Sequence, residues 1–470
     1  MSTMLTGASA SSPSRRSLLR AGVLGGGGAA LLSASGLAAA SAQAATGAGT
    51  AAPQPLQNLF TLSDLDFDTL FAFGGIGYGS AEFGELVTAV NAVNTAGAGY
   101  QSYYDTFLAL AQRVDAQAGA ELAAGHTASA RAAYLRAASY YDLCVYFVLG
   151  TDARASEATA YARTQRCWVR FCQLSDTPIE PVSIPYETGH LPGYLLRPDN
   201  RTQPRPTVIL NNGEDAQNVR MWAFGAAAAL ERGYNALIFE GPGQGSMLFE
   251  RQIPFRYDWE KVVTPVVDYL RSRPEVDRDR IVLSGSSLGG EFVVRAAAFE
   301  HRLAAVVADP GVLSLWASWQ DLEPSITSLF DKGLSKDEIN GAWQQDFIPA
   351  LTESDRFDLS KNAEGFGRQF LLSARAGTVF DDLYDLGTTL MRFTVADVAQ
   401  QVTTPTLVTV YEDDQLVVPA KEQGQPLYDL LRCDKRFLTF TAAEGAQLHC
   451  APMAPQVRNQ AVYDWLDQLV

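Results

Sequence analysis

From Leu59 to Leu174 apolar residues recur at spacings of three and four, the period of helices that bury one face. Tyr100 to Val114 carries the pattern clearly, and Gly125-His126 separates it from Ala128 to Cys144, an alanine- and tyrosine-rich run that resembles one helical hairpin. One such unit makes no array. The pattern predicts an all-α domain over 59–177 with its tyrosine stripe turned to the core. At Pro178 the period falls to two. Pro181 to Tyr186 and Leu191 to Arg197 read as antiparallel edge strands. Apolar runs at Pro206 to Leu210, Tyr234 to Phe239, Ile281 to Leu283 and Ala304 to Ala308 then alternate with helical stretches at Met221 to Arg232 and Asp258 to Arg273. Such alternation implies right-handed crossovers and a mainly parallel sheet with helices on both faces, an α/β architecture.

Over 311–403 the alternation stops. Leu313 to Trp319, Asp337 to Trp343 and Phe366 to Ser373 read as short helices rich in Trp and Phe. A structureless connection of that length is rare in a compact domain, so a helical lid inserted over the strand ends is the economical reading. The strand–helix order resumes with Thr406 to Tyr411, Pro419 to Leu431, Arg436 to Phe440 and a closing helix from Gln456 to Leu469.

The first residues change the picture of where the chain works. Ser14-Arg15-Arg16-Ser17-Leu18-Leu19-Arg20 matches the twin-arginine export pattern, and a weakly apolar Gly/Ala segment with small residues around Ala42 and Ala44 follows it. The domain plan is therefore a leader over 1–44, cleaved after Ala42 or Ala44, a linker over 45–58, the helical cap over 59–177, and 178–470 with its insertion. A formal charge of -16 disfavours nucleic acid and anionic membrane as partners, and after Ala44 no apolar run reaches the ~20 residues of a span. The mature protein is expected in the secreted or cell-envelope space without a stable membrane anchor, and these residues admit a homodimer. Five cysteines, Cys144, Cys167, Cys172, Cys433 and Cys450, are an odd count in a large chain and are expected as mostly buried thiols; their spacing suits no zinc site.

The chemistry concentrates at Gly285-Ser286-Ser287-Leu288-Gly289-Gly290, between an apolar strand and a helix. A G-x-S-x-G turn at that junction forces its serine onto a strained backbone, exposed at the sheet edge. Ser287 is the candidate nucleophile, and the Leu288 amide at the helix start is a candidate oxyanion donor. Serine needs a base. Of four histidines, His126, His190 and His301 fall away from the sheet edge, whereas His449 follows the last strand. The orienting acid comes from Glu412-Asp413-Asp414; a frame in which it stands third after the strand end selects Asp414, with Asp413 and then Glu412 as alternatives. Asn211-Asn212-Gly213-Glu214-Asp215 follows the first buried strand, and Gly213 lets the Glu214 amide turn toward Ser287 as second donor. The competing reading is a plain turn with Asp215 capping a helix. Glu240 to Gly245 lacks the Lys and Ser of a phosphate cradle and reads as a rigid turn.

These segments resemble the α/β-hydrolase superfamily. With the helical N-terminal domain, they look like the group that contains dihydroxypseudooxynicotine hydrolase and the fungal pigment-polyketide-shortening hydrolases. The resemblance implies Ser287, Asp414 and His449 as a triad, a cap that contributes to the pocket, and carbon–carbon cleavage of a 1,3-dicarbonyl beside ester or amide hydrolysis. Members of that group act inside cells, so the export leader argues against carrying over a substrate. The expected activity is that of an exported serine hydrolase on a small carbonyl substrate through an acyl-enzyme, with no metal, nucleotide or other cofactor. A non-catalytic binding protein on the same scaffold is the rival class, and an exopeptidase or acyltransferase the rival enzymes.

Overall fold

The computed structural model describes residues 58–414, 416–417 and 420–470. The expected export leader and all but the last residue of the expected linker lie outside them. Among the described residues no helix is long and apolar enough to cross a membrane. Eight strands form one sheet: β1 (Ile179–Tyr186), β2 (Gly189–Leu196), β3 (Arg205–Asn211), β4 (Asn235–Phe239), β5 (Val276–Ser286), β6 (Ala305–Asp309), β7 (Thr406–Tyr411) and β8 (Lys435–Phe440). Their spatial order is β1-β2-β4-β3-β5-β6-β7-β8. β2 runs antiparallel to β1 and β4, and every other pairing is parallel. Of the two strands expected at an edge, only β1 lies there. β2 is covered on its second side by β4, in register from Gly193 with Phe239 to Leu196 with Ala236.

Alternation along the central strands sorts their side chains into two cores. Val208 and Leu210 of β3, Val282 of β5 and Ala305 and Val307 of β6 join one cluster with the N-terminal helices and the closing helix Pro455–Leu466. Ile209, Leu283, Val306 and Ala308 join the other, with helix Glu260–Ser272, helix Gly289–Ala297 and the insertion. Both faces are thus dry, which is why these strands read as unbroken apolar runs. The N-terminal helices Asp66–Gly75, Phe83–Ala96, Tyr100–Ala123, Thr127–Phe147 and Glu157–Gln173 share a core with the sheet itself. Their tyrosines face inward, with Tyr103 bonded to Thr69 at 2.7 Å and Tyr140 donating to Glu85 at 2.8 Å. All five cysteines are free thiols, four of them buried.

Two stretches depart from the periodicity. The helix expected over Met221 to Arg232 is broken: Asn218–Met221 and Ala227–Glu231 flank a wider-wound turn, Trp222–Ala226, in which Gly225 has φ 157°. A side chain at Gly225 would lie 2.9 Å from Leu210, so the kink lets the helix sit close on the sheet. Its loosened carbonyls are taken up, Gly225 by the Tyr463 hydroxyl at 2.9 Å and Phe224 by Arg458 at 2.5 Å. The insertion holds six helices where three were expected: Leu315–Leu322, Pro324–Asp331, Lys336–Ala342, Glu353–Ala363, Arg368–Ala376 and Leu383–Leu390. Those missed carry their signal at the ends. Pro324 opens one, a Thr352/Asp355 capping box opens another, and Asp382 caps the last.

Candidate active site

β5 runs to Ser286 and helix Gly289–Ala297 starts three residues on, leaving Ser287 to make the turn at φ 61°. The fold permits this only because three glycines let backbone meet backbone. A β-carbon at Gly285 would lie 2.0 Å from the Gly289 carbonyl oxygen, one at Gly289 2.6 Å from that of Asn211, and one at Gly290 1.9 Å from that of Pro310. The Ser287 amide donates to the Asp309 carbonyl at 2.9 Å, which ties the turn to the end of β6.

His449 sits in the loop after β8, where Cys450 and Ala451 both take left-handed backbone, φ 60° and 49°. That reversal aims the imidazole back at the turn. His449 Nε2 lies 2.9 Å from Ser287 Oγ, and Nδ1 lies 2.8 Å from Asp414 Oδ2. A carboxylate has no hydrogen to give, so Nδ1 carries the proton and Nε2 is free to accept that of Ser287. The other Asp414 oxygen accepts the Leu416 and Val417 amides at 2.8 and 2.9 Å, so both of its oxygens are held. Asp414 and His449 are buried. Burial alone would lower the His449 pKa, but the Asp414 carboxylate outweighs it and holds the imidazole well above its ordinary value. The neighbouring acids point elsewhere: Asp413 and Glu412 are exposed, and Glu412 accepts the Ala442 amide at 2.8 Å. His126, His190 and His301 are exposed, and His126 pairs with Glu121.

The loop after β3 lies against the serine turn. A β-carbon at Gly213 would be 2.7 Å from Ser287 Cβ and 2.8 Å from the Leu288 nitrogen, so the absence of a side chain there lets the loop close on the serine turn. Gln244 holds this loop from the turn after β4. Its Nε2 donates to the Asn212 and Gly213 carbonyls at 2.7 and 3.0 Å, and its Oε1 accepts the Gly241 amide. Below, the Trp259 indole donates to Asn211 Oδ1 at 2.7 Å. Asp215 caps no helix. It forms an ion pair with Lys361 of the insertion at 3.2 Å. Glu240 accepts from Tyr161, Asn218 and Ser246, which fixes the Glu240–Gly245 segment as a turn. Among the described residues no cluster of His, Cys, Asp or Glu is arranged to hold a metal ion.

A serine, a buried imidazole and a buried carboxylate in this order on this sheet call for comparison with known enzymes. The profile of the alpha/beta hydrolase family matches residues 216–459, and that of esterase FrsA-like proteins matches 98–326. The chain belongs to the alpha/beta hydrolase family. It is 32% identical to "Hydrolase ORFZ" of Pyricularia oryzae over 67% of its own length and 76% of the relative's. It is 28% identical to "Hydrolase LUC6" of a Fusarium species over 88% of its own length and 98% of the relative's. Among solved structures, 2,6-dihydroxy-pseudo-oxynicotine hydrolase superposes with a TM-score of 0.62 at 19% identity, over 84% of this chain and 95% of that one.

This hydrolase is thus an enzyme of the α/β-hydrolase type, and several residues that shape its site carried no motif. The N-terminal helices reach the site: the Phe67 ring lies 6.5 Å from the His449 imidazole. Arg220, just past the loop after β3, is buried between Asp68 and Asp142 of those helices, at 3.0 and 2.8 Å. Burial pushes Asp68 up to about 6 against the pull of Arg220. Beneath the serine turn, Asp309 accepts from Arg458 Nε at 2.7 Å and from the Tyr411 hydroxyl. Glycine spacing marks an elbow, but nothing in the order of residues says that an Arg and an Asp 149 positions apart will meet.

Proposed function

We propose that this protein is a serine hydrolase that cleaves a small carbonyl substrate through an acyl-enzyme, with Ser287 as nucleophile, His449 as base and Asp414 as its orienting acid. The observation that carries the proposal is the unbroken relay from Ser287 Oγ to His449 at 2.9 Å and on to Asp414 at 2.8 Å. His449 takes the hydroxyl proton as Ser287 attacks, and the imidazolium that forms is stabilised by the buried carboxylate. The Leu288 and Glu214 amides hold the developing oxyanion. His449 then gives its proton to the leaving group, activates water, and the same two amides serve the second half-reaction.

Labelling with a fluorophosphonate tests this directly. The parent enzyme should be labelled on Ser287 and Ser287→Ala should not be; labelling that survives the substitution refutes the assignment. A panel of p-nitrophenyl esters, aminoacyl anilides and 1,3-diketones then separates ester, amide and carbon–carbon cleavage. Export by the twin-arginine route is proposed on Ser14 to Arg20 alone. Replacing Arg15-Arg16 by Lys-Lys should strand the protein in the cytoplasm, and unchanged secretion would discard the route.

A further inference from the structure

Four carboxyl groups and two cations converge beside the oxyanion loop, from three separate parts of the chain. Glu157 comes from the N-terminal helices, Glu214 and Asp215 from the loop, and Glu364 with Lys361 and Arg375 from the insertion. Lys361 is 4% exposed. Its ammonium lies 3.2 Å from Asp215, pairs with Glu364, and sits 5.2 Å over the Tyr146 ring. Arg375 donates to Glu157 at 2.8 Å. One oxygen of Glu214 and Oδ1 of Asp215 are buried with no hydrogen-bond partner, so Lys361 meets Asp215 through charge. Burial and the neighbouring Asp215 raise the Glu214 carboxyl well above its ordinary value, which favours its neutral form.

Asp215 follows directly on the residue whose amide supplies the second oxyanion donor. An unpaired carboxylate there would oppose the negative charge that builds on the substrate oxygen, and with the Asp215 side chain only 26% exposed water screens that opposition in part. It would also leave the loop free to move toward water to solvate the acid. Lys361 removes both difficulties from across the interface.

We propose that Lys361 is a positioning residue that pins and neutralises Asp215, so that the oxyanion hole is competent only with the insertion seated. This rests on Ser287 as nucleophile and the Glu214 amide as donor. Its consequence is specific: loss of Lys361 should slow the chemical step while substrate binding stays nearly intact, and most of the loss should be routed through Asp215.

The test compares Lys361→Met, Asp215→Asn and Lys361→Met/Asp215→Asn on a p-nitrophenyl ester, with rates referred to fluorophosphonate-labelled sites. Lys361→Met should lower kcat on the order of a hundredfold, the scale of one lost oxyanion donor, with KM nearly unchanged. The double variant should recover roughly tenfold or more of that loss, because the charge stranded beside the donor amide is gone and only Glu364, off the loop, stays unpaired. Unchanged kcat per labelled site in Lys361→Met overturns the proposal, and so does a double variant no faster than the single. Should Lys361→Met fail to fold, Lys361→Met/Asp215→Asn/Glu364→Gln is compared with Asp215→Asn/Glu364→Gln, neither of which leaves a carboxylate at 215 or 364 to be stranded. Equal kcat supports action through Asp215, and a roughly tenfold slower triple variant refutes it. Persistent labelling of Ser287→Ala would instead sink the parent reading, so the two failures are distinct.

Discussion

Gly213→Ala perturbs the oxyanion hole and leaves the relay in place. The new methyl would stand 2.6 Å from the Ser286 carbonyl oxygen, 2.7 Å from Ser287 Cβ and 2.8 Å from the Leu288 nitrogen. Carbon contacts settle at about 3.5–4.0 Å, so the loop must retreat by roughly 1 Å. The atoms it meets are backbone and the nucleophile's own Cβ, and none can swing aside as a flexible side chain would. Gly213 does not have a positive φ, so the cost arises from bulk rather than from backbone conformation. A retreat of that size carries the Glu214 amide out of hydrogen-bond range of the oxyanion, while Ser287, His449 and Asp414 keep their contacts. Loss of one such donor costs about 10²–10³ in kcat, or roughly 2.7–4 kcal/mol of transition-state stabilisation. The assay is steady-state hydrolysis of a p-nitrophenyl ester per labelled active site. Gly341→Ala, where a methyl meets nothing within 4 Å, controls for the change of residue type. A Gly213→Ala enzyme within about threefold of the parent kcat would refute the placement of the donor.

Four further outcomes follow from the geometry of the site and its supports. Asp414→Asn should lower kcat on the order of 10⁴-fold by favouring the wrong imidazole tautomer, whereas the exposed Asp413→Asn should stay within about threefold; a reversed order in ester turnover would move the acid to its neighbour. Because Asp414 raises the His449 pKa and the base must be neutral, kcat/KM should rise with pH through a value above the ordinary 6.5, and Asp414→Asn should move that limb down. The linked stability runs the other way: it is complete below the unfolded value and declines as pH climbs through the folded one, so flat unfolding profiles across that window would contradict the assignment. Arg220→Met strands Asp68 and Asp142, which should cost about 3–5 kcal/mol in urea unfolding at pH 7.5. The deficit should shrink as pH falls from 7.5, because without the pull of Arg220 Asp68 takes up its proton above the parent's value of about 6, and a loss under about 1 kcal/mol at pH 7.5 would mean the clamp carries little.

What could be read from residue order was whatever repeats or punctuates. The strands β3, β4, β6 and β7 and the second half of β5 were legible because burial on both faces made them continuous apolar runs, and the serine turn because Gly285, Gly289 and Gly290 are each required by backbone contact. His449 and Asp414 were legible by position after the last two strands. The frame selected Asp414 over Asp413, and the structure supplies the physical difference: Asp414 turns inward, where the Leu416 and Val417 amides meet it. Illegible were partners brought together only by three-dimensional closure. Gln244 lay within a segment read as a plain turn, yet its amide holds both loop carbonyls. Lys361 lay in helix Glu353–Ala363, whose apolar residues show little one-sided pattern because the helix is wedged between the cap and the oxyanion loop. Helix Met221 to Arg232 was misread because a period of three and four survives a kink at Gly225.

The carbonyl end of this sheet is crowded with buried and half-buried acids, and the identity of each partner decides what the acid can do. Asp309 meets Arg458, Asp215 meets Lys361, and Asp68 and Asp142 meet Arg220. Arginine does not release its proton in a protein, and Glu364 and Asp215 hold Lys361 above the ordinary lysine value despite its burial, so these pairs are fixed charges at neutral pH. Asp414 alone among these acids meets an imidazole, whose proton can be given up within the working pH range. Replacing His449 by a stronger base would freeze that pair like the others, and replacing a clamp arginine by histidine would let the clamp titrate with the catalytic base. The distribution of Arg, Lys and His among otherwise similar buried pairs therefore separates the part of the site that must stay still from the part that must pass a proton.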